Sequence, residues 1–302
     1  MNPRRSVLST PGDSESMIRK AAASQADQVF LDLEDAVADT SKDEARQRAT
    51  WALANLDWKP GTRSIRMNAV TSPFGYQDVI DVVTGAGSSL DTIVVPKVTT
   101  ARDVWWVATL LEQVEAVAGI DRQIGLEVLI EEPAAVLNAH EIATSSRRVR
   151  SLMFGPADLT AAIGATVDAI DGWLPRHPGD FYHHTRSQIA LAAAAAKVAA
   201  VDGPYGAFRD GEGYRALCAM VADLGYQGKW AIHPSQIEIA NEVFSPQEAE
   251  LAFARRVVEA YRQAAGAGHG AATLDGALID AADVRRAKSV LERARAIGVP
   301  TP

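Results

Sequence analysis

The chain has 302 residues, a length that suits two domains of ~150 residues or one α/β barrel of ~250 with an appendage. With 47% hydrophobic and 23% charged residues, it has an ordinary globular composition, which excludes a disordered chain. Thirty Lys and Arg against 38 Asp and Glu give a net charge of -8, which repels phosphate and speaks against a nucleic acid or an anionic membrane surface as partner.

Eight short β-prone segments recur at 5–9, 28–33, 64–68, 92–97, 125–130, 151–155, 198–202 and 229–233. Each is followed by a longer stretch of helix-forming composition. Their starts lie roughly 23 to 47 residues apart, the length of a strand, a helix and two loops, and eight such units predict a closed (β/α)8 barrel over residues 1–242. Beyond the eighth strand, "SPQE" offers Ser245 as a helix cap, Pro246 at the first position and Glu248 three residues after the cap, and predicts a helix over 245–265. "AAGAGHGA" then interrupts the pattern. A second helix is predicted over 278–297, with Leu278, Val284, Ala287, Leu291 and Ile297 as its apolar stripe. Residues 243–302 therefore read as a small helical appendage. It is either a lid or arm that reaches a neighbouring subunit, or a terminal helix docked on its own barrel.

The lone cysteine, Cys218, lies in an apolar helical pattern and reads as core; it excludes an intrachain disulfide and a cysteine-built zinc cluster. No signal-peptide pattern is seen and no apolar run approaches the ~20 residues of a membrane helix, so a cytoplasmic protein is expected.

In a barrel of this kind the active site gathers where strands run out into the following loops. Those ends carry Glu34 and Asp35, Arg66 and Asn68, Lys97, Glu131 and Glu132, Asp158, Asp202 and His233. Charged groups collected on one rim behind apolar strands favour a site over ordinary loop polarity. Glu131 and Asp158 end adjacent strands with no histidine close by, an oxygen set suited to Mg2+ or Mn2+ rather than zinc. The other reading pairs them with Arg66 and Lys97. Those cations are either structural partners or groups that hold a carboxylate or stabilise an oxyanion. Glu34 and Asp35 are consecutive, so an extended segment would send them to opposite sides, only one toward the barrel axis. His233 is either a general base or a hydrogen-bonded structural residue, and the adjacent His183 and His184 are assigned no metal. Neither GxxxxGK[ST] nor a GxGxxG after a strand occurs, which argues against a P-loop NTPase and a Rossmann dehydrogenase.

Taken in order, "RRSVLSTPG", "FLDLEDAV", "IRMNAVTSPFGYQDV", "IVVPKV", "LEVLIEEPAAVLNAHEIA", "LMFGPADL", "VDGPYGAFRD", "GKWAIHPSQIEIANEVFSP" and, at 274–280, "LDGALID" span nearly the whole chain. This set resembles the HpcH/HpaI aldolase and citrate lyase β-subunit-like (CitE-like) CoA-ester lyases, and within them is most similar to the malyl-CoA and β-methylmalyl-CoA lyases. The resemblance implies a TIM barrel with a C-terminal helical lid and Mg2+ on Glu131 and Asp158. It implies substrate contacts at Arg66, Glu131, Ala157, Asp158, Lys97 and Lys20, and catalytic roles for Asp280, Arg66, Glu34 and Asp35. Asp280 matches a lid acid that the family places in the active site of an adjacent subunit, so a homotrimer or hexamer is implied. Some positions depart from the family pattern. Ser9 stands where an aromatic residue is frequent, Ser14 near a usual basic one, and Glu132 and Pro133 where small or hydroxyl residues are usual. The region 165–185 is shorter than in some relatives.

The reaction implied is a reversible Claisen-type cleavage of a 3-hydroxyacyl-CoA to glyoxylate and acetyl-CoA or propionyl-CoA, with CoA as part of the substrate. Mg2+ would act as a Lewis acid toward the 2-oxo acid and Arg66 would meet the developing negative charge. Asp280 would move the proton at the acyl carbon, Glu34 and Asp35 would position water, and Lys97 would balance charge. The same resemblance admits a citramalyl-CoA or citryl thioester lyase, and a malyl-CoA thioesterase or malate synthase-like activity. Retention of every candidate metal and acid position speaks against a non-enzymatic binding subunit.

Overall fold

The computed structural model describes residues 2–165 and 181–301, which fall into two compact units, Arg4–Asn241 and a second made of residues 2–3 together with the segment that starts at Glu242. In the first, eight parallel strands close on themselves: β1 (Ser6–Pro11), β2 (Gln28–Asp32), β3 (Thr62–Arg66), β4 (Thr92–Val95), β5 (Gly125–Ile130), β6 (Val149–Phe154), β7 (Ala199–Asp202) and β8 (Gly228–Ala231). β1 pairs with both β2 and β8, which completes the ring. The expected (β/α)8 barrel is present, and its strands begin and end within two residues of the segments read from the sequence.

The strands form where apolar side chains occupy both faces, one turned to the barrel axis and the other to the surrounding helices; β2 and β4 are buried at every position. Val7, Phe30, Val94, Leu129, Met153, Val201 and Trp230 make the central inner layer. Two residues before Phe30, Val94 and Leu129 on the same strand face, toward the strand starts, Gln28, Thr92 and Glu127 form a polar plug, which Arg4 joins from ahead of β1. There Arg4 Nε donates to Glu127 Oε1 at 2.7 Å, Gln28 donates to Ser64 Oγ at 3.0 Å, and the Ser64 and Thr92 hydroxyls meet at 2.6 Å. Two residues after the central layer, the same alternation turns Asp32, Arg66, Glu131 and Gly155 inward at the opposite end. One rim is thereby charged.

Asp202 is not part of that rim. Val201 faces the axis, so its neighbour points out to the helices. There the fully buried Asp202 accepts from Arg186 Nε at 2.9 Å and pairs with Lys229 Nζ. Cys218 is buried as expected.

The second unit contains the helix Glu248–Gly266, an antiparallel hairpin of β9 (Ala272–Leu274) and β10 (Ala277–Ile279), and the helix Ala281–Ala296. Leu251, Ala254 and Val257 pack with Ile279, Val284, Ala287, Val290, Leu291 and Ala294 to form its own core. The first helix starts at Glu248 rather than 245, because Ser245 and Gln247 serve the preceding turn. Ser245 N–H and the Gln247 amide both donate to Glu242 O. The hairpin replaces the start of the predicted second helix. Asp275 and Gly276 adopt φ of 52° and 81°, the left-handed pair a two-residue hairpin turn requires, and Leu278 on β10 is 73% exposed instead of joining an apolar stripe. Among the described residues no helix is long and apolar enough to cross a membrane.

Candidate active site

Asp32, the last residue of β2, organises one side of the rim. Its carboxylate takes Arg66 in a two-point grip, Nε to Oδ1 at 2.8 Å and Nη2 to Oδ2. It also accepts the backbone N–H groups of Glu34 at 2.9 Å and Ala36 at 3.3 Å, which turns the chain as it leaves the strand. Lys42 Nζ pins the same loop through the carbonyls of Leu33 and Glu34 at 2.9 and 2.7 Å. Because extended structure stops at Asp32, Glu34 and Asp35 are not sent to opposite sides; both face the same two cations. Arg66 Nη1 lies 2.9 Å from Glu34 Oε2 and 3.3 Å from Asp35 Oδ2, and Lys97 Nζ lies 2.7 Å from Glu34 Oε1 and 3.0 Å from Asp35 Oδ1.

The two acids respond differently. Burial pushes Glu34 up to about 7, with Arg66 and Lys97 offsetting only part of the effect; its oxygens lie at ion-pair distance from both cations but at angles that make no hydrogen bond with Arg66. For Asp35 burial acts in the same direction, yet the Lys97 hydrogen bond and the charges of Arg66 and Lys97 prevail and its pKa is lowered. Burial works against the charged forms of Arg66 and Lys97 as well. Asp32, Glu34 and Asp35 overcome it at Arg66, as Glu34 and Asp35 do at Lys97, and both bases are raised.

Across the rim, Glu131 follows β5 and is 1% exposed. Its Oε1 accepts the backbone N–H of Lys97 at 2.7 Å. Gly155 faces it, and a Cβ there would stand 2.6 Å from Glu131 Oε2, so the carboxylate occupies room that only glycine leaves. Gly155 caps the helix Pro156–Ala162, with Pro156 at its first position and Asp158 in its first turn. Burial first, and then the negative charge of Asp158, push Glu131 up to about 8, although the Lys97 amide acts against this.

Two carboxylates close enough for the charge of Asp158 to raise Glu131, all-oxygen in character, fit Mg2+, which takes one or two protein carboxylates and keeps water or substrate on its remaining positions. Among the described residues no group of three or more His, Cys, Asp or Glu is placed to hold a metal. The donor set fits a hard cation with a mostly open coordination shell rather than a closed structural site.

Other sequence-predicted residues are placed as follows. Ala157 is exposed beside Asp158, and Lys20 is exposed in the last turn of the helix Glu15–Ala22, away from its rim end. Ser14 caps that helix, and Ser9 is half-buried in β1. Asn68 is engaged with Asp78 through its backbone N–H and its side-chain amide, both at 2.7 Å. His233 is exposed, stacks on Phe208 at 4.9 Å, and its Nδ1 meets Ser235 Oγ at 2.8 Å. Asp280, in the second unit, caps the helix Ala281–Ala296: Oδ1 accepts from Ala282 N–H at 2.7 Å and Asp283 N–H at 3.3 Å. The shortened 165–185 region falls mostly outside the described residues. Asp32 escaped the sequence reading, although it stands two residues after the inward-facing Phe30 and thus had the right alternation to point at the site.

Relatives match this chain along nearly its whole length. An L-malyl-CoA/beta-methylmalyl-CoA lyase of Cereibacter sphaeroides is 38% identical over 98% of this chain and 96% of its own. A (3S)-malyl-CoA thioesterase of the same species is 36% identical over 98% and 96%. Among solved structures, CitE from Mycobacterium tuberculosis, in complex with magnesium, acetoacetate and coenzyme A, superimposes with a TM-score of 0.75 at 30% identity, covering 97% of this chain and 98% of that one. A family profile matches residues 5–234, and the chain belongs to the HpcH/HpaI aldolase/citrate lyase family.

Proposed function

We propose that this protein is a Mg2+-dependent CoA-ester lyase that reversibly splits malyl-CoA or β-methylmalyl-CoA into glyoxylate and acetyl-CoA or propionyl-CoA. Within the family, the observation that carries the reading is the Glu131–Asp158 pair, in which the charge of Asp158 raises the buried Glu131, on a rim that also holds a buried arginine. Bound there, Mg2+ supplies Lewis-acid polarisation of the oxo acid's oxygens. Glu131 and Asp158 hold it. Arg66, oriented by Asp32, offers a fixed positive charge to the negative charge that develops during cleavage.

In cleavage the hydroxyl loses its proton, the C–C bond breaks with its electron pair passing to the carbon beside the thioester, and that carbon takes up a proton. Condensation runs the same steps backward. Asp280 is the group that delivers or removes the carbon-bound proton; with Oδ1 held by two backbone amides, Oδ2 is left for transfer. Glu34 and Asp35 position water, and the near-neutral titration of Glu34 suits it to relay the hydroxyl proton. Lys97 and Lys20 contact substrate in this reading, as does Ala157. The segment 243–302 acts as a lid over a neighbouring subunit's site, which makes the active species a homotrimer or hexamer. The compartment is the cytoplasm, in keeping with a single buried thiol.

Incubating the purified protein with Mg2+, glyoxylate and a panel of acyl-CoAs, with products identified by mass, tests the reading. The malyl or methylmalyl thioester is the expected product, and no condensation with any acyl-CoA overturns it. The thioesterase among the relatives motivates a second arm: free CoA released from malyl-CoA without glyoxylate marks hydrolysis instead. Asp280→Ala is expected to lose turnover while still binding glyoxylate.

A further inference from the structure

Three non-glycine residues among those described have a left-handed backbone, Lys97 (φ 51°), Lys197 (φ 59°) and Asp275 (φ 52°). Two have ordinary reasons. Lys197 ends the helix His183–Ala196, and Asp275 sits in the β9–β10 turn, both regular places for this conformation. Lys97 ends no helix and turns no hairpin. It follows β4 by way of Pro96, at a point where a lysine in this region costs free energy that a glycine would not.

What the conformation achieves is visible in the two ends of the residue. The Lys97 N–H is on Glu131 Oε1 at 2.7 Å, while its ammonium lies 2.7 Å from Glu34 and 3.0 Å from Asp35 on the far side of the rim. With the N–H aimed at β5, a left-handed φ turns the side chain toward the loop after β2. Backbone strain of this kind concentrates at functional sites when the surroundings hold it in place.

We propose that Lys97 is a positioning residue of the metal centre and acts through its backbone: the left-handed peptide sets its N–H on Glu131 and fixes that carboxylate. This rests on the reading of Glu131 as a Mg2+ ligand. The charge on Lys97 alone does not account for the geometry, since a lysine in ordinary extended backbone would supply the same charge without the strain.

The test is a substitution series read by Mg2+ calorimetry on the metal-free protein, with melting temperature and circular dichroism checking each fold. Lys97→Gly and Lys97→Asn tolerate the left-handed region, so their Mg2+ dissociation constants should stay within about threefold of wild type. Lys97→Val, β-branched, should bind Mg2+ at least about tenfold more weakly. Lys97→Ala should fall between them and keeps the order readable if the valine protein does not fold. Equal weakening in Gly, Asn, Ala and Val with full retention in Lys97→Arg assigns the role to charge and overturns the proposal, as does a flat series. Glu131→Gln separates the two layers. Abolished Mg2+ binding in that variant beside a flat Lys97 series refutes the positioning role alone, whereas unchanged binding refutes the metal reading and this inference with it.

Discussion

Gly155→Ala should move the candidate metal carboxylate with a single methyl group. The added Cβ would stand 2.5 Å from Glu131 Cβ, 2.6 Å from Oε2 and 3.4 Å from Cδ, about 1 Å inside the ~3.5–4.0 Å optimum for carbon contacts. Backbone conformation is not the main obstacle, since φ at Gly155 is -108°, negative as alanine prefers. The strands cannot part freely either, because Gly155 N–H donates to Ile130 O at 3.0 Å. Rotation of Glu131 relieves the Oε2 contact but not the Cβ one, to which the backbone must yield, and both movements take the carboxylate off the Lys97 amide. Overpacking of this size costs ~1–3 kcal/mol, and each kcal/mol lowers the melting temperature by ~2–4 °C in a domain of about this size. Calorimetric titration with Mg2+ is expected to show at least about tenfold weaker binding, a loss of ~1.4 kcal/mol. Gly85→Ala serves as control, because its Cβ meets Thr50 Cγ2 at 2.5 Å, away from the rim; it should lower stability without changing Mg2+ affinity. Wild-type affinity in Gly155→Ala would refute the argument that this glycine seats Glu131.

The raised acids predict a pH dependence with a definite sign. Glu131 at about 8 and Glu34 at about 7 bind protons more tightly folded than unfolded, so the stability of the metal-free protein should fall as pH rises from ~4.5 through those values. Mg2+ requires ionised Glu131, so its affinity should rise with pH up to about 8, and uptake at neutral pH should release a proton; calorimetry in buffers of different ionisation enthalpy counts it, and zero release would contradict the assignment. Asp202→Asn takes the counter-charge from the fully buried Lys229 and should cost ~3–5 kcal/mol in chemical denaturation with Mg2+ affinity unchanged. Asp32→Asn loosens the grip on Arg66 and should lower kcat/KM by roughly a hundredfold, the scale expected of a misplaced catalytic group, with the fold retained by circular dichroism.

Much of this protein was legible before any coordinates, because the barrel rests on local patterns: apolar runs that recur with helix-length spacing and rim residues that follow each run. Glu34, Asp35, Arg66, Lys97, Glu131 and Asp158 all lie just after a strand, or at its last residue, for that reason. The hairpin is also written locally, in the Asp275–Gly276 turn, which prevails over the helix-forming composition around it. Asp202 resisted because strand ends look alike until the inward or outward face is known. One residue of phase separates a rim acid from the counter-charge of Lys229.

Strand order, family and the types of group on the rim follow from pattern and composition along the chain. How those groups share their charges depends on the closed barrel. Glu34 and Asp35 face the same cations because hydrogen bonds to Asp32 end the strand and turn the loop. Glu131 is held by an amide from the loop after β4 and by the missing side chain of Gly155. These relations join residues far apart in the chain, and the desolvation that raises Glu131 exists only once the barrel has closed around it.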